Sequence, residues 1–183
     1  GTDISLIAAP ADGWRFDRWY DLDTDTPHSP TLSISPDQDL SFSALFLPKS
    51  YNLSLVTTTN GSVSGGGTFE YGSAINISAT PNTGFEFTDW EGGGEFISNS
   101  NNQDAMVTIP DQNLTLTASF VASQLNVSAV TDGSGQITGE GAYNYGETIS
   151  LEATPANGNI FEKWEWSDQD GNQIHSSENP LSL

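Results

Sequence analysis

The chain repeats its own sequence, and this repetition constrains the fold more than any other feature. Residues 1–10 recur as residues 72–81 and again as residues 146–155, at offsets of 71 and then 74 residues. After the proline that ends each segment, a Gly, a Phe and a Trp follow at +3, +6 and +9: Gly13, Phe16, Trp19; Gly84, Phe87, Trp90; Gly158, Phe161, Trp164. Such self-similarity predicts a tandem array of small units, in which neighbours stabilise one another.

The first and last segments of the repeated units also match one another, and these matches define the boundaries of the units. Residues 40–46 match residues 114–120, and residues 53–65 match residues 125–139. We therefore predict three regions: a partial repeat at 1–50 without opening strands, a complete repeat at 51–123, and a partial repeat at 124–183 without a closing strand. These regions are called repeat 1, repeat 2 and repeat 3 below.

The periodicity within the repeats is that of strands. In repeat 2, Ile75, Ile77 and Ala79 alternate with polar residues, which places them on one buried face of a strand. The same alternation marks residues 114–120, and no segment shows the 3.6-residue period of a helix. An all-β fold of small modules arranged end to end follows, with strands of repeat 2 predicted at 52–56, 62–64, 68–71, 74–80, 85–90 and 113–120. A further strand around residues 106–109 stays ambiguous.

Three motifs in repeat 2 resemble a known family. They are Gly-x-Val-x-Gly-Gly-Gly-Thr-Phe-x-Tyr-Gly at 61–72, Ile-x-Ala-Thr-Pro-x-x-Gly-Phe-x-Phe-x-x-Trp at 77–90, and Leu-Thr-Ala-Ser-Phe at 116–120. In this order and spacing they resemble the divergent internalin-type B-repeat of bacterial surface and secreted proteins. The resemblance implies a small β-grasp-like module, strung in tandem as an extracellular spacer or adhesive segment. It implies no catalytic residue.

The aromatic residues that recur in every repeat are predicted to anchor the core. A buried Trp stabilises a module of this size by several kcal/mol, on the order of 3–5. The alternative is an exposed platform on which a sugar ring stacks. The predicted core anchors are Trp19, Trp90, Trp164, Phe16, Phe87 and Phe161.

Three aromatic residues break the repeat pattern and are therefore candidate ligand-binding residues. Trp14 stands where repeat 2 has Phe85, Trp166 stands where repeat 2 has Gly92, and Tyr20 adjoins Trp19. Because each occurs in one copy only, the shared core does not require it. One interpretation is a contact at the rim of a repeat or between repeats, and the other is a contact to a glycan or another partner.

Acidic residues cluster after two of the three tryptophans. Alternating carboxylates can converge on Ca²⁺, which prefers oxygen ligands, although neither cluster fits the spacing of an EF-hand loop. We treat Ca²⁺ as the one candidate cofactor, and solvated turns as the alternative interpretation. The candidate metal ligands are Asp21, Asp23, Asp25, Asp168 and Asp170.

Charge and composition exclude several function classes. The 183 residues carry 24 Asp and Glu against 4 Lys and Arg, a net charge of −20. Such a surface repels nucleic-acid phosphates and anionic lipids, so we predict no nucleic-acid partner and no membrane insertion. The chain contains no Cys, which excludes disulfides, thiolate metal sites and a Cys nucleophile. We predict no enzymatic activity and no catalytic residue.

Two functional hypotheses remain. The leading one is a structural repeat: a stalk or adhesin segment of a larger bacterial surface or secreted protein. Its predicted partners are the neighbouring repeats, and identical chains paired head to tail through sheet edges exposed at the incomplete repeats. The alternative is a carbohydrate-binding accessory module of a secreted enzyme or adhesin, with a surface glycan as partner and Trp14, Tyr20 and Trp166 as contacts.

Overall fold

The computed structural model describes residues 2–21, 27–28, 30–57 and 59–183. These residues form strands, turns and loops, with no helix among them, so the predicted all-β class of tandem modules is confirmed. The strands are β1 (Ile4–Ile7), β2 (Trp14–Asp21), β3 (Pro27–His28), β4 (Thr31–Ile34), β5 (Phe42–Pro48), β6 (Ser50–Thr57), β7 (Gly61–Ser64), β8 (Gly67–Glu70), β9 (Ala74–Pro81), β10 (Phe85–Glu91), β11 (Asp104–Thr108), β12 (Leu114–Ala122), β13 (Gln124–Val127), β14 (Gly135–Thr138), β15 (Gly141–Asn144), β16 (Ser150–Pro155), β17 (Trp164–Ser167), β18 (Gln173–Ser176) and β19 (Leu181–Ser182).

The chain divides into two compact units. The first unit comprises Gly1–Asn82 and Phe87–Phe120, and the second comprises Thr83–Glu86 and Val121–Leu183. In the part of the chain that the structure describes, no helix is long and apolar enough to span a membrane.

Repeat 2 forms two sheets. One has the strand order β10-β12-β6-β8, and the other has the order β11-β9-β7. The closing strand β12 runs parallel to the opening strand β6, with Leu114 opposite Leu53 and Leu116 opposite Leu55. Strand β9 pairs antiparallel with both of its neighbours.

The core of the first unit follows the period-2 pattern of its strands. Along β12, alternate side chains are buried, while the residues between them are exposed or half-buried. Ile77 and Ala79 of β9 are buried, as their alternation predicts, and Ile75 is half-buried. The buried apolar residues of repeat 2 are Leu53, Ile77, Ala79, Trp90, Ile97, Ala105, Val107, Ile109, Leu114, Leu116, Ala118 and Phe120.

Repeat 1 contains the Trp-bearing strand and the closing strand. Strand β2 pairs antiparallel with β5 on one side and with β3 on the other. The register of β2 against β5 shifts between Phe16 and Arg18, which marks a β-bulge. Strands β1 and β4 form a separate antiparallel pair.

Repeat 3 has three small sheets in the second unit. Strand β13 pairs with β15, β17 pairs with β18, and β16 lies between β14 and β19. Its core consists of Leu151, Trp164 and Leu181. Half-buried apolar side chains pack against this core, namely Val127, Ala129, Ile137, Ile149, Ala153, Phe161 and Trp166.

The six strands predicted for repeat 2 are all present, as β6, β7, β8, β9, β10 and β12, and their ends lie within two residues of the predicted ones. The ambiguous segment around residues 106–109 belongs to β11. It escaped a firm prediction because it is short and because the side chain of Met106 faces solvent.

Candidate functional site

The repeated Phe and Trp residues form the same contact in all three repeats. Within each pair, the ring centroids lie 5.7, 5.8 and 5.5 Å apart in repeats 1, 2 and 3, at interplanar angles of 54°, 55° and 53°. This spacing is typical of attractive aromatic pairs. Trp90 is 3% exposed and Trp164 is 9% exposed, whereas Trp19 is half-buried. The predicted anchors therefore pack inward in repeats 2 and 3, where no face of the indole is free for a ligand.

The closing strand adds a second aromatic ring to this core in two repeats. Phe46 of β5 contacts Phe16 edge to face at 5.9 Å, and Phe120 of β12 contacts Phe87 at the same distance. The interplanar angles are 74° and 72°. The closing strand thus completes one aromatic triad in repeat 1 and one in repeat 2.

A joint with defined geometry links repeat 1 to repeat 2 within the first unit. The backbone N–H of Lys49 donates to the carbonyl of Gly13 at 2.8 Å, and the N–H of Tyr71 donates to the carbonyl of Lys49 at 2.8 Å. The ring of Tyr71 lies directly over Gly13, so a Cβ at that position would approach the ring closer than 3.0 Å. Gly13 has a φ of +77°, a conformation that favours glycine for a second reason.

The same joint recurs within the second unit. The N–H of Ser123 donates to the carbonyl of Gly84 at 2.9 Å, and the N–H of Tyr145 donates to the carbonyl of Ser123 at 2.9 Å. The ring of Tyr145 lies over Gly84, whose φ is +81°, and also contacts Phe85 edge to face at 6.2 Å. Two joints built from equivalent residues show that the geometry is a property of the repeat.

Gly158 is the equivalent residue of repeat 3. Its φ of +82° matches Gly13 and Gly84, but a Cβ at this position would meet nothing within 4 Å. The sequence showed that these three glycines recur at one position of the repeat, but it did not reveal that a tyrosine ring lies over Gly13 and over Gly84. The available signal was the Tyr-Gly pair at 71–72 and again at 145–146, which recurs at the same 74-residue offset as the other motifs.

The three candidate ligand-binding aromatics do not form one platform within a unit. Trp14 and Tyr20 lie on β2 in the first unit, and Trp166 lies in the second. Trp14 is opposite Pro48 and Tyr20 is opposite Ser43, so the bulge in β2 places them on opposite faces of the sheet. Their predicted role in ligand binding stays a prediction.

The surroundings of these aromatics differ. Trp14 is 37% exposed. The guanidinium of Arg18 lies 5.4 Å from the ring centroid of Tyr20 and pairs with the carboxylate of Asp17 at 2.5 Å, so one face of the Tyr20 ring is covered. Trp166 packs against the core of repeat 3.

The acidic loop of repeat 3 is organised by its own hydrogen bonds. Oδ1 of Asp168 accepts from the N–H groups of Asp170 and Asn172 at 2.9 and 2.8 Å, and Oδ2 accepts from Nδ2 of Asn172 at 2.9 Å. Hydrogen bonds from Asn172 and from the loop backbone favour the charged form and lower the pKa of Asp168. The carboxylate of Asp168 therefore stabilises the turn at residues 168–172 by accepting these hydrogen bonds.

The other four metal candidates, Asp21, Asp23, Asp25 and Asp170, stay predictions. Among the residues that the structure describes, no group of three acidic or His side chains is arranged to hold a metal ion. Asp23 and Asp25 lie outside the described residues, as does the side chain of Asp21.

An open groove of about 490 Å³ crosses the outer face of the sheet formed by β7, β9 and β11. Its lining is Ser64, Asn76, Ile77, Ser78, Ser98, Asp104, Ala105 and Met106. The lining contains hydroxyl, amide and carboxylate groups but no aromatic ring on which a sugar could stack. None of the predicted ligand-binding residues lies in it.

The comparison with known families agrees with the internal repeat. The family model for the divergent InlB B-repeat domain matches three times, at residues 1–50, 51–124 and 125–182. Neither a curated protein nor a solved structure matches the chain. Because the three matches cover nearly the whole chain, this protein belongs to the divergent InlB B-repeat domain family.

Proposed function

We propose that this chain is a non-enzymatic structural segment of a bacterial surface or secreted protein, in which consecutive B-repeats form a stalk or the supporting part of an adhesin. The family is consistent with a bacterial surface repeat. The stalk or adhesin role, and an extracellular location, are our proposal.

The observation that supports this role most is the recurrence of the joint. A flexible linker would leave neighbouring repeats independent. Each joint here instead contains two backbone hydrogen bonds and one tyrosine ring that lies over a glycine of the preceding repeat. In both joints a single residue, Lys49 or Ser123, bonds to one repeat through its N–H and to the next through its carbonyl. Contacts of this kind between neighbouring repeats stabilise a tandem array, which is what a spacer requires.

The distribution of side chains is consistent with this role. The residues that recur best between repeats build cores, turns and joints. In the part of the chain that the structure describes, the buried residues of the core are apolar. The net charge of −20 keeps the surface solvated and opposes random association.

The experiment substitutes the glycines of the joints in chains that are displayed on the cell surface. An epitope is fused to one end of the chain and a cell-wall anchor to the other, and binding of an antibody to intact cells is measured. A stalk predicts that the double variant Gly13→Ala, Gly84→Ala lowers both epitope accessibility and protease resistance, while Gly158→Ala retains both. Equal display by all three proteins would contradict a structural role for the joints.

Carbohydrate binding is the second candidate, and the partial exposure of Trp14 is the observation that favours it. A sugar ring stacked on Trp14 would change its fluorescence. Titration with a panel of polysaccharides, with Trp14→Ala as the control, separates the two functions. A saturable signal that Trp14→Ala abolishes would favour the binding module over the stalk.

A further inference from the structure

The first and last strands of repeat 2 lie side by side in the middle of one sheet. In the order β10-β12-β6-β8, the opening strand β6 and the closing strand β12 are the two inner strands. They run parallel, and five consecutive residue pairs join residues 53–57 to residues 114–118. We call these paired residues the clamp. Repeat 2 therefore begins and ends on neighbouring strands that point in the same direction.

The chain enters and leaves repeat 2 at opposite ends of the clamp. Lys49 immediately precedes β6, and Ser123 immediately follows β12. The backbone groups of these two residues form the joints to the neighbouring repeats. Because the two strands are parallel, tension along the chain pulls the start of β6 and the end of β12 in opposite directions along the strand axis.

Tension in this direction loads the clamp in shear. The backbone hydrogen bonds of a sheet join one strand to the next, so sliding one strand along the other strains all of these bonds at once. In an antiparallel pair that is pulled apart from one end, by contrast, the residue pairs open one after another. Simultaneous strain of several bonds raises the barrier to unfolding, and forced unfolding is governed by the rate at which that barrier is crossed.

Side chains reinforce the clamp. Leu53, Leu116 and Ala118 face the core and are 1%, 0% and 0% exposed. At the start of the clamp, the backbone N–H of Asn52 donates to Oδ1 of Asn113 at 2.9 Å, which adds one link beyond the five residue pairs. Sliding of the strands would separate these apolar contacts in water as well as break the hydrogen bonds.

From these observations we propose that repeat 2 has a mechanical function: it withstands tension along the chain, because the clamp must be sheared before any other part of the repeat can be extended. The rest of repeat 2 lies between β6 and β12 in the sequence, so tension reaches it only after the two strands have separated. The inference rests on the proposed structural role for the source of the tension, and the resistance itself follows from the topology.

The test is single-molecule pulling of the full chain through two alternative pairs of attachment points. Because the chain contains no Cys, two introduced cysteines provide unique attachment points. Ser50→Cys with Val121→Cys loads the clamp in shear. Ser50→Cys with Glu70→Cys opens the antiparallel β6–β8 pair from one end, because Ser50 and Glu70 lie opposite each other. All three positions are exposed, so the substitutions leave the core unchanged.

The rupture force should depend on the direction of pulling. We expect a force at least about twofold higher in the shear geometry than in the opening geometry, at the same pulling speed. Because both geometries act on the same fold, the difference reports direction rather than stability. The chain released between the attachment points is at most about 24 nm in the shear geometry and about 7 nm in the opening geometry, which identifies the two events.

Two buried substitutions separate mechanical resistance from stability. Leu116→Ala removes a side chain from the clamp, and Val107→Ala removes one from β11 in the other sheet; both residues are 0% exposed. Both substitutions should lower the midpoint of urea unfolding. Only Leu116→Ala should lower the rupture force in the shear geometry, because β11 is not under tension until β6 and β12 have separated.

Two results would overturn the proposal. One is an equal rupture force in the two geometries, and the other is an equal loss of shear force in Leu116→Ala and Val107→Ala. Failure of the proposed structural role is recognised separately, because the display experiment tests the joints at Gly13 and Gly84, whereas the rupture force tests the clamp. Unchanged display with a high shear force would contradict the role of the joints and support the clamp, and the reverse pair of results would overturn the clamp alone.

Discussion

The joints predict that two chemically identical substitutions have different costs. Gly84 and Gly158 are equivalent turn glycines with φ values of +81° and +82°, so alanine meets the same backbone strain at both, on the order of 1–2 kcal/mol. At Gly84 the new methyl group also collides with the ring of Tyr145, whereas at Gly158 it meets nothing within 4 Å. Overpacking of this kind costs about 1–3 kcal/mol.

The expected free-energy losses are therefore about 2–5 kcal/mol for Gly84→Ala and about 1–2 kcal/mol for Gly158→Ala. The assay is urea unfolding of both variants and the parent chain, followed by tryptophan fluorescence, with hydrogen exchange to identify which residues lose protection. Gly84→Ala should expose amides around Thr83–Glu86 and Tyr145, which belong to the second unit. Equal losses for the two variants would refute the reasoning, because the added methyl group meets a tyrosine ring at Gly84 and nothing within 4 Å at Gly158.

Three further predictions follow from the core and the acidic loop. Leu116→Ala should lower the free energy of unfolding by about 2–5 kcal/mol in urea titrations, since Leu116 is fully buried, while exposed Thr115→Ala should change it by less than about 0.5 kcal/mol. The contribution of Asp168 to stability should be complete above its ordinary pKa of 3.8 and be lost as the pH falls through its lower folded-state pKa. Asp168→Asn should remove that part of the acid dependence in thermal melts, and a persistent dependence would contradict it. Titration with Ca²⁺ should leave the amide NMR shifts of residues 168–172 unchanged, because three hydrogen bonds from the loop already engage the carboxylate of Asp168, and a saturable shift would refute this.

The strands were predictable because their signal is local. Alternation of apolar and polar residues predicted β9 and β12. The repeat strengthened each prediction, since an element found in one copy could be sought in the others. The bulge in β2 was not predictable in the same way, because a one-residue register shift is set by the partner strand.

The joints depend on contacts between distant residues. Tyr71 and Gly13 each stood out within a repeated motif, but neither motif says that the ring of one lies on the backbone of the other. That relation arises only when two repeats pack together. Similarly, Leu125 and Gly158 align with Leu53 and Gly84 in the sequence, but only the structure shows that Leu125 is 50% exposed and that a Cβ at Gly158 would meet nothing within 4 Å.

The candidate site residues show the same limit. A residue that departs from the repeat, such as Trp14 or Trp166, can be found by alignment of the copies. Whether it faces solvent or a core depends on packing: Trp14 is partly exposed, whereas Trp166 lies against the core of repeat 3. The acidic loop was found as a cluster of carboxylates, but its hydrogen bonds to its own backbone require the folded turn.

The central claim is that a tyrosine ring seated on a turn glycine couples consecutive repeats. A double-mutant cycle of Gly84→Ala and Tyr145→Ala tests it most directly, because it isolates the energy of that one contact. In the Tyr145→Ala background, Gly84→Ala should cost only the backbone strain, about 1–2 kcal/mol, which is the cost expected for Gly158→Ala. If the two substitutions are instead additive within about 0.5 kcal/mol, the ring and the glycine do not interact energetically, and the account of the joint is wrong.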